Sequence, residues 1–285
     1  MVVVEERGAS VGPGVSAGGK SADDGLFRTH RATSAWIGTV SIRLLLLISL
    51  VGGWELVGTF TEWELWISQP SAVWEQLLAW HRAGILWDGL VSTLWATLLG
   101  FVLGSAVGGI AGLLLGSMRR IGELLEPFVL AAYSIPKIAL APLFVLWFGI
   151  DLLPKVMLAA ILVGFLVFFS VYQGFKTIDQ QLMAITRVMG AGHYMTLRKV
   201  ALPYSSAWMF TGLKMGLPYA LIGVVVGEFM AATSGLGYMI KNASALFNTD
   251  GVFAGLAVLM LVSTFLSSGL AVVEKRVLHW SGRGI

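Results

Sequence analysis

Six apolar stretches separated by short polar connections dominate the sequence, at about 42–60, 90–118, 125–148, 156–175, 207–230 and 252–273. A helix rising about 1.5 Å per residue needs about 20 apolar residues to cross the hydrocarbon of a bilayer, and each stretch is of that order. The second is long enough to cross with a tilt. Charged residues make up 12% of the chain and hydrophobic ones 56%, about half the charge of a soluble domain, where it is roughly 25%. The expected fold is therefore an all-α integral membrane protein of about six transmembrane helices, with residues 36–285 as the membrane domain. The chain has no cysteine, which excludes a disulfide framework and any thiolate metal or redox site. A net charge of +3 is too small to argue for nucleic acid.

Residues 1–35 are rich in Gly, Ser and Ala, carry charge and lack apolar periodicity, and are expected to form a disordered cytoplasmic tail. Within them Gly14 to Ser21 fits the phosphate-loop pattern letter for letter. That loop works only between a strand and a helix that aim its backbone N–H groups at phosphate. Pro13 before it, Asp23 and Asp24 after it, and the nearby first span leave no room for such a domain, so we read the match as coincidence.

Lys and Arg set the orientation. One set of connections and termini holds fourteen of them, among them Arg119, Arg120, Lys176, Arg187, Arg198, Lys199, Lys275 and Arg276; the other holds Arg82, Lys155 and Lys241. The basic side is expected to be cytoplasmic, with both termini on that side of the membrane. The opposite side carries Trp63, Trp66, Trp74, Trp80 and Trp87, as an interfacial belt would. There Pro70 is expected to open a short surface helix with Val73, Trp74, Leu77 and Leu78 on one face. In the second stretch Gly100, Gly104, Gly108, Gly112 and Gly116 fall four apart. This stripe of close approach is expected to serve packing within the subunit rather than a subunit interface.

Enzyme chemistry has little to rest on. The four histidines fall outside the spans, and no zinc-protease or nucleophile-elbow motif occurs, so no catalytic residue and no metal ligand is assigned. The ionisable residues within or at the margins of spans are Glu55, Lys137, Lys214 and Glu228, a set suited to a lined pathway or to buried ion pairs. Lys137 lies about a dozen residues into the third stretch, roughly 18 Å along a straight helix. It reads either as an ion-pair partner, Glu228 being the candidate, or as a positive site on the path of an anion. A self-contained channel or ion-driven transporter is disfavoured because the spans hold few acids for ion coupling.

The connection at about 176–204 is the most distinctive segment. Leu182, Met183, Ile185, Val188 and Met189 suit a short amphipathic helix, Gly190 a sharp turn, and a second short helix is expected to stop before Pro203. Such a knob between two spans suits a cytoplasmic partner, although an ordinary loop on the membrane surface would read alike.

The spacing Gly190, nine residues, Val200-Ala-Leu202-Pro203 resembles the cytoplasmic signature of permease subunits of binding-protein-dependent ABC importers. The resemblance continues in Ser134-Ile-Pro136-Lys137 through Gly149 and in Gly223 through Gly237-Tyr238. It covers about residues 40–277 and is similar to the branch importing nitrate, taurine and aliphatic sulfonates. One departure is that the family's Glu-Ala-Ala positions are Ala184, Ile185 and Thr186, so the acidic docking contact is absent. The resemblance implies a type I importer permease acting as a homodimer with two cytoplasmic ATPase subunits, which bind the ATP and Mg, and an outer solute-binding protein. This chain itself would bind no cofactor. ATPase coupling would fall to Thr186, Arg187, Gly190, His193, Tyr194, Arg198, Lys199, Leu202 and Pro203. The path or gate would involve Ser134, Pro136, Lys137, Lys214, Glu228, Ser234 and Gly235, the last two in a segment, Ala231–Tyr238, that reads equally as an outer re-entrant gate or a plain surface turn. The solute would be a small anion, a vitamin precursor or an aromatic acid; the binding protein selects it.

Overall fold

The computed structural model describes residues 23–60 and 66–278; the phosphate-loop match and Trp63 lie outside them. Among the described residues every element is helical. Five helices are long and apolar enough to cross a membrane, and one bent pair makes a sixth crossing when counted as a single span.

The described residues fall into two units, one ending at Leu56 and the other beginning at Val57. The first consists of α1 (Asp23–Phe60) up to Leu56. Residues 23–35, expected in the tail, are part of this helix: no proline lies between Pro13 and Pro70 to end it before the apolar stretch begins.

In the second unit α2 (Pro70–Arg82) begins at its proline, which needs no N–H in a first turn. Val73 and Trp80 are its buried residues while Trp74 is exposed, so the inward face is turned from the one expected. The core is α6 (Leu152–Lys176), packed against α3 (Ile85–Ser117) on one side and α9 (Leu202–Ala231) on the other. Between helices in lipid the drive is van der Waals contact, which small residues permit by letting backbones approach. The α3 glycine stripe does this: Gly100, Gly104, Gly108 and Gly112 lie on Ala159, Ala160, Gly164 and Phe168 of α6, within the subunit. A second row, Gly212, Gly216, Gly223 and Gly227 of α9, lies on the other side of α6. Val156, Ala159, Val163, Val167 and Val171 fill the seam with Ala96, Ala220 and Val224.

The third stretch does not form a straight helix. It is α4 (Arg119–Ser134), a 3-10 turn (Lys137–Leu140) and α5 (Ala141–Phe148), with a 74° bend between the halves. Pro136 forces Ile135 into an extended conformation, φ −65° and ψ 130°, and cannot donate a hydrogen bond itself. The straight-axis depth expected for Lys137 therefore does not hold. Beyond α6 come α7 (Gln180–Val188) and α8 (His193–Thr196); after α9 a short α10 (Leu236–Ala245) precedes α11 (Thr249–Val277).

Candidate functional site

At one end of the unit the chain leaves α6 into a compact knob. Asp179 accepts the Gln181 N–H at 2.7 Å, and α7 closes with the Ala191 N–H donating to the Thr186 carbonyl at 3.0 Å. Gly190 makes that closure at φ +77°, a left-handed conformation that costs other L-residues roughly 1–2 kcal/mol. A Cβ there would meet nothing within 4 Å, so the backbone, not space, requires glycine. The knob's two ends are tied: the Tyr204 hydroxyl donates to the Thr177 carbonyl at 3.2 Å.

Pro203 does not stop a helix. After α8 the chain widens into a π turn, Leu197–Ala201, and continues into α9. The Leu202 N–H reaches back to the Leu197 carbonyl, and the wider turn accommodates the proline ring that would clash in an α-helix. The knob displays unpartnered apolar surface, with Val188 88%, Met189 81% and Tyr194 71% exposed. Arg198 and Lys199 are exposed beside it; the side chains of Arg187 and His193 lie outside the described set.

At the other end lies a buried charge pair. Glu228 of α9 is 0% exposed and Lys155 of α6 is 1% exposed. Their charged atoms are 3.7 Å apart, brought close because Gly227 leaves α9 against the Lys155 backbone. The Thr93 hydroxyl of α3 donates to the carboxylate, 2.9 Å from Oε1, and the Gly237 N–H donates to Oε2 at 2.8 Å. Glu228 thus pairs with Lys155, not with Lys137. Lys155, read in sequence as a connection residue, belongs to the helix core. Beside the pair the Ser92 and Ser234 hydroxyls are 3.1 Å apart, and Gly235 has φ +121°. An open cavity of about 430 Å³ is lined here by Trp80, Asp88, Ser234, Tyr238, Asn242 and Asn248, among others.

The sequence matches, over residues 104–279, the family described as the inner membrane component of binding-protein-dependent transport systems. The chain belongs to that family. It is 32% identical over 198 residues to the putative aliphatic sulfonates transport permease protein SsuC of Bacillus subtilis, covering 70% of this chain and 72% of the relative. It is 32% identical over 246 residues to the riboflavin transport system permease protein RibX of Chloroflexus aurantiacus (85% and 88%). With the taurine transport system permease protein TauC of Escherichia coli it shares 30% over 223 residues (76% and 81%). The fold is that of a type I importer permease: a chain of the MetNI methionine ABC transporter, in an inward-facing conformation, superposes with a TM-score of 0.61 at 19% identity. That match covers 69% of this chain and 97% of that one.

Within this permease the bend of the candidate third span carries a cation. The Lys137 ammonium donates to the carbonyl oxygens of Tyr133 and Ile135, which the break in the helix leaves without helical partners. It also lies over the Tyr133 ring, 3.9 Å from the centroid, and 4.9 Å from that of Phe165. Ring faces and carbonyls partly compensate the charge, and among the described residues no carboxylate pairs with it. Ser134 and Pro136 shape the bend, Ser134 donating to the Leu130 carbonyl at 2.9 Å. Lys214 is elsewhere, paired with Glu274 of α11. The proposed path residues therefore divide into the bend (Ser134, Pro136, Lys137), the Lys214 tie and the buried cluster of Glu228, Ser234 and Gly235.

Sequence reasoning missed Lys155 and Thr93. Thr93, Ala96 and Thr97 continue the α3 stripe of small residues back from Gly100, and all are buried; the stripe's direction was the signal. For Lys155 the signal was Glu228 itself, a carboxylate in a span that needs a donor.

Proposed function

We propose that the chain is the translocation subunit of an ATP-driven importer in a bacterial inner membrane, with the fourteen-residue basic side and both termini cytoplasmic. Two copies form the path in the lipid bilayer, two ATPase subunits that bind ATP and Mg dock on the cytoplasmic knobs, and an outer solute-binding protein delivers the solute. The solute is a small sulfonate, an alkanesulfonate or the zwitterion taurine, which presents an anionic sulfonate group. The observation that carries this is Lys137, a cation at the helix break of a candidate span, held by carbonyls and ring faces rather than by a carboxylate, since a charge within a span persists where it has work to do. The names of the sulfonate and taurine relatives favour the same solute class. A second reading, a vitamin precursor, draws support from the riboflavin and formylaminopyrimidine relatives. Residues 231–245 act as the outer gate, above the span that holds Glu228.

Pull-down of the solubilised permease tests the assembly: an ATPase subunit should co-purify, and its consistent absence would favour a self-contained channel. Coupling is tested at Gly190. Gly190→Val should insert normally but weaken ATPase docking by about 5–30-fold, the factor for roughly 1–2 kcal/mol of left-handed strain. Gly190→Asn, which tolerates that conformation, should be the mildest change. An Asn variant as impaired as Val would show that close approach, not the backbone, requires glycine.

A further inference from the structure

We infer that Thr93 and Lys155 are positioning residues that hold the outer gate helix α10 through Glu228, so that the gate opens only when this whole set of bonds is released. The inference rests on reading residues 231–245 as the gate. α10 has no cap of its own: its N-cap residue is Gly235, without a side chain to offer. Its first two N–H groups are taken by other helices. Leu236 donates to the Thr93 hydroxyl of α3 at 2.8 Å, and Gly237 donates to the Glu228 carboxylate of α9 at 2.8 Å. Thr93 uses both of its capacities, accepting from Leu236 while donating its single proton to Glu228.

The carboxylate thus receives a hydroxyl of α3, an amide of α10 and the nearby ammonium of α6, all away from water. Lys155 is held more loosely, 3.3 Å from the Ser92 hydroxyl and 3.7 Å from Asp151 and from Glu228. Ser92 continues to Ser234, which lines the outer cavity. A side chain at Gly235 or Gly237 would run into the Glu228 carboxylate, so α10 has one close-fitting seat. Leaving it orphans two buried amides together and takes one bond each from the Thr93 hydroxyl and the Glu228 carboxylate, which makes the movement an all-or-none step rather than a gradual one.

The permease has no cysteine, so a reversible lock can be built where two hydroxyls already meet. In Ser92→Cys/Ser234→Cys, assembled with its ATPase and binding protein, oxidation should join α3 to the turn before α10. Solute import should then stop and return on reduction. Import that continues in a complex shown to be fully cross-linked would overturn the inference, because α10 would not need to move. On the same complex, Thr93→Val and Lys155→Met should raise ATP hydrolysis without binding protein and collapse its stimulation by binding protein, while Thr93→Ser keeps the stimulation. A simple structural defect would instead lower both rates in proportion, and that outcome also counts against the inference. Failure of the unmodified complex to import solute or hydrolyse ATP in response to binding protein would refute the functional reading, not the seat of α10.

Discussion

Gly108→Val should remove the folded permease from the membrane, while Gly109→Ala next to it should be tolerated. A Cβ at Gly108 would fall on the Gly164 backbone, 2.9 Å from its carbonyl carbon and closer still to its oxygen; one at Gly109 meets only Val167 Cγ1 at 3.9 Å. Backbone cannot rotate away as a side-chain end can, so valine must push α3 off α6 along the most extensive helix contact of the unit. Ordinary overpacking costs about 1–3 kcal/mol, and separating two helices in lipid, where close contact is the main drive for association, costs more. Detergent-solubilised protein followed by thermal aggregation and size exclusion should show a large loss for Gly108→Val. A wild-type melting temperature in that variant would refute the packing account.

Lys137→Met should assemble and reach the membrane, yet lose solute uptake. A charged hydrogen bond contributes about 1.5–3 kcal/mol, or about 10–160-fold in transport, if the ammonium meets an anion on its way through. Two further substitutions separate charge from architecture. Glutamine can still donate to the Tyr133 and Ile135 carbonyls but carries no charge, and arginine keeps the charge. The anion account predicts uptake by Lys137→Arg and none by Lys137→Gln. Uptake retained by Lys137→Gln would reduce Lys137 to a staple of the bend, favouring the vitamin-precursor reading.

What could be read ahead of the structure follows a physical pattern. Span number and the glycine stripe were legible because both are set by local composition: length of apolar run, and absence of side chains at every fourth position. The knob was legible through Gly190, whose turn is a property of one residue. Non-local consequences were not. Pro136 disfavours a continuous helix, but the 74° bend depends on how α5 packs against α6. Pro203 looked like a helix stop because the π turn that relieves it has no sequence signature of its own. The partner of Glu228 was misread because Lys155 adjoins a proline and a connection, whereas Gly227 and the α9 row draw it into the core. Charge counts by loop ignore such depth.

Under the proposed function this chain provides a path for an anionic solute and a separate ATPase drives it. The direct measurement is uptake of labelled taurine or a short alkanesulfonate into vesicles holding the permease, its ATPase and its binding protein. Omission of each component in turn and an imposed ion gradient without ATP complete the design. The account predicts accumulation that requires all three proteins and ATP hydrolysis, and that the gradient alone does not drive. Uptake by the permease alone, or uptake driven by the gradient without ATP, would contradict it.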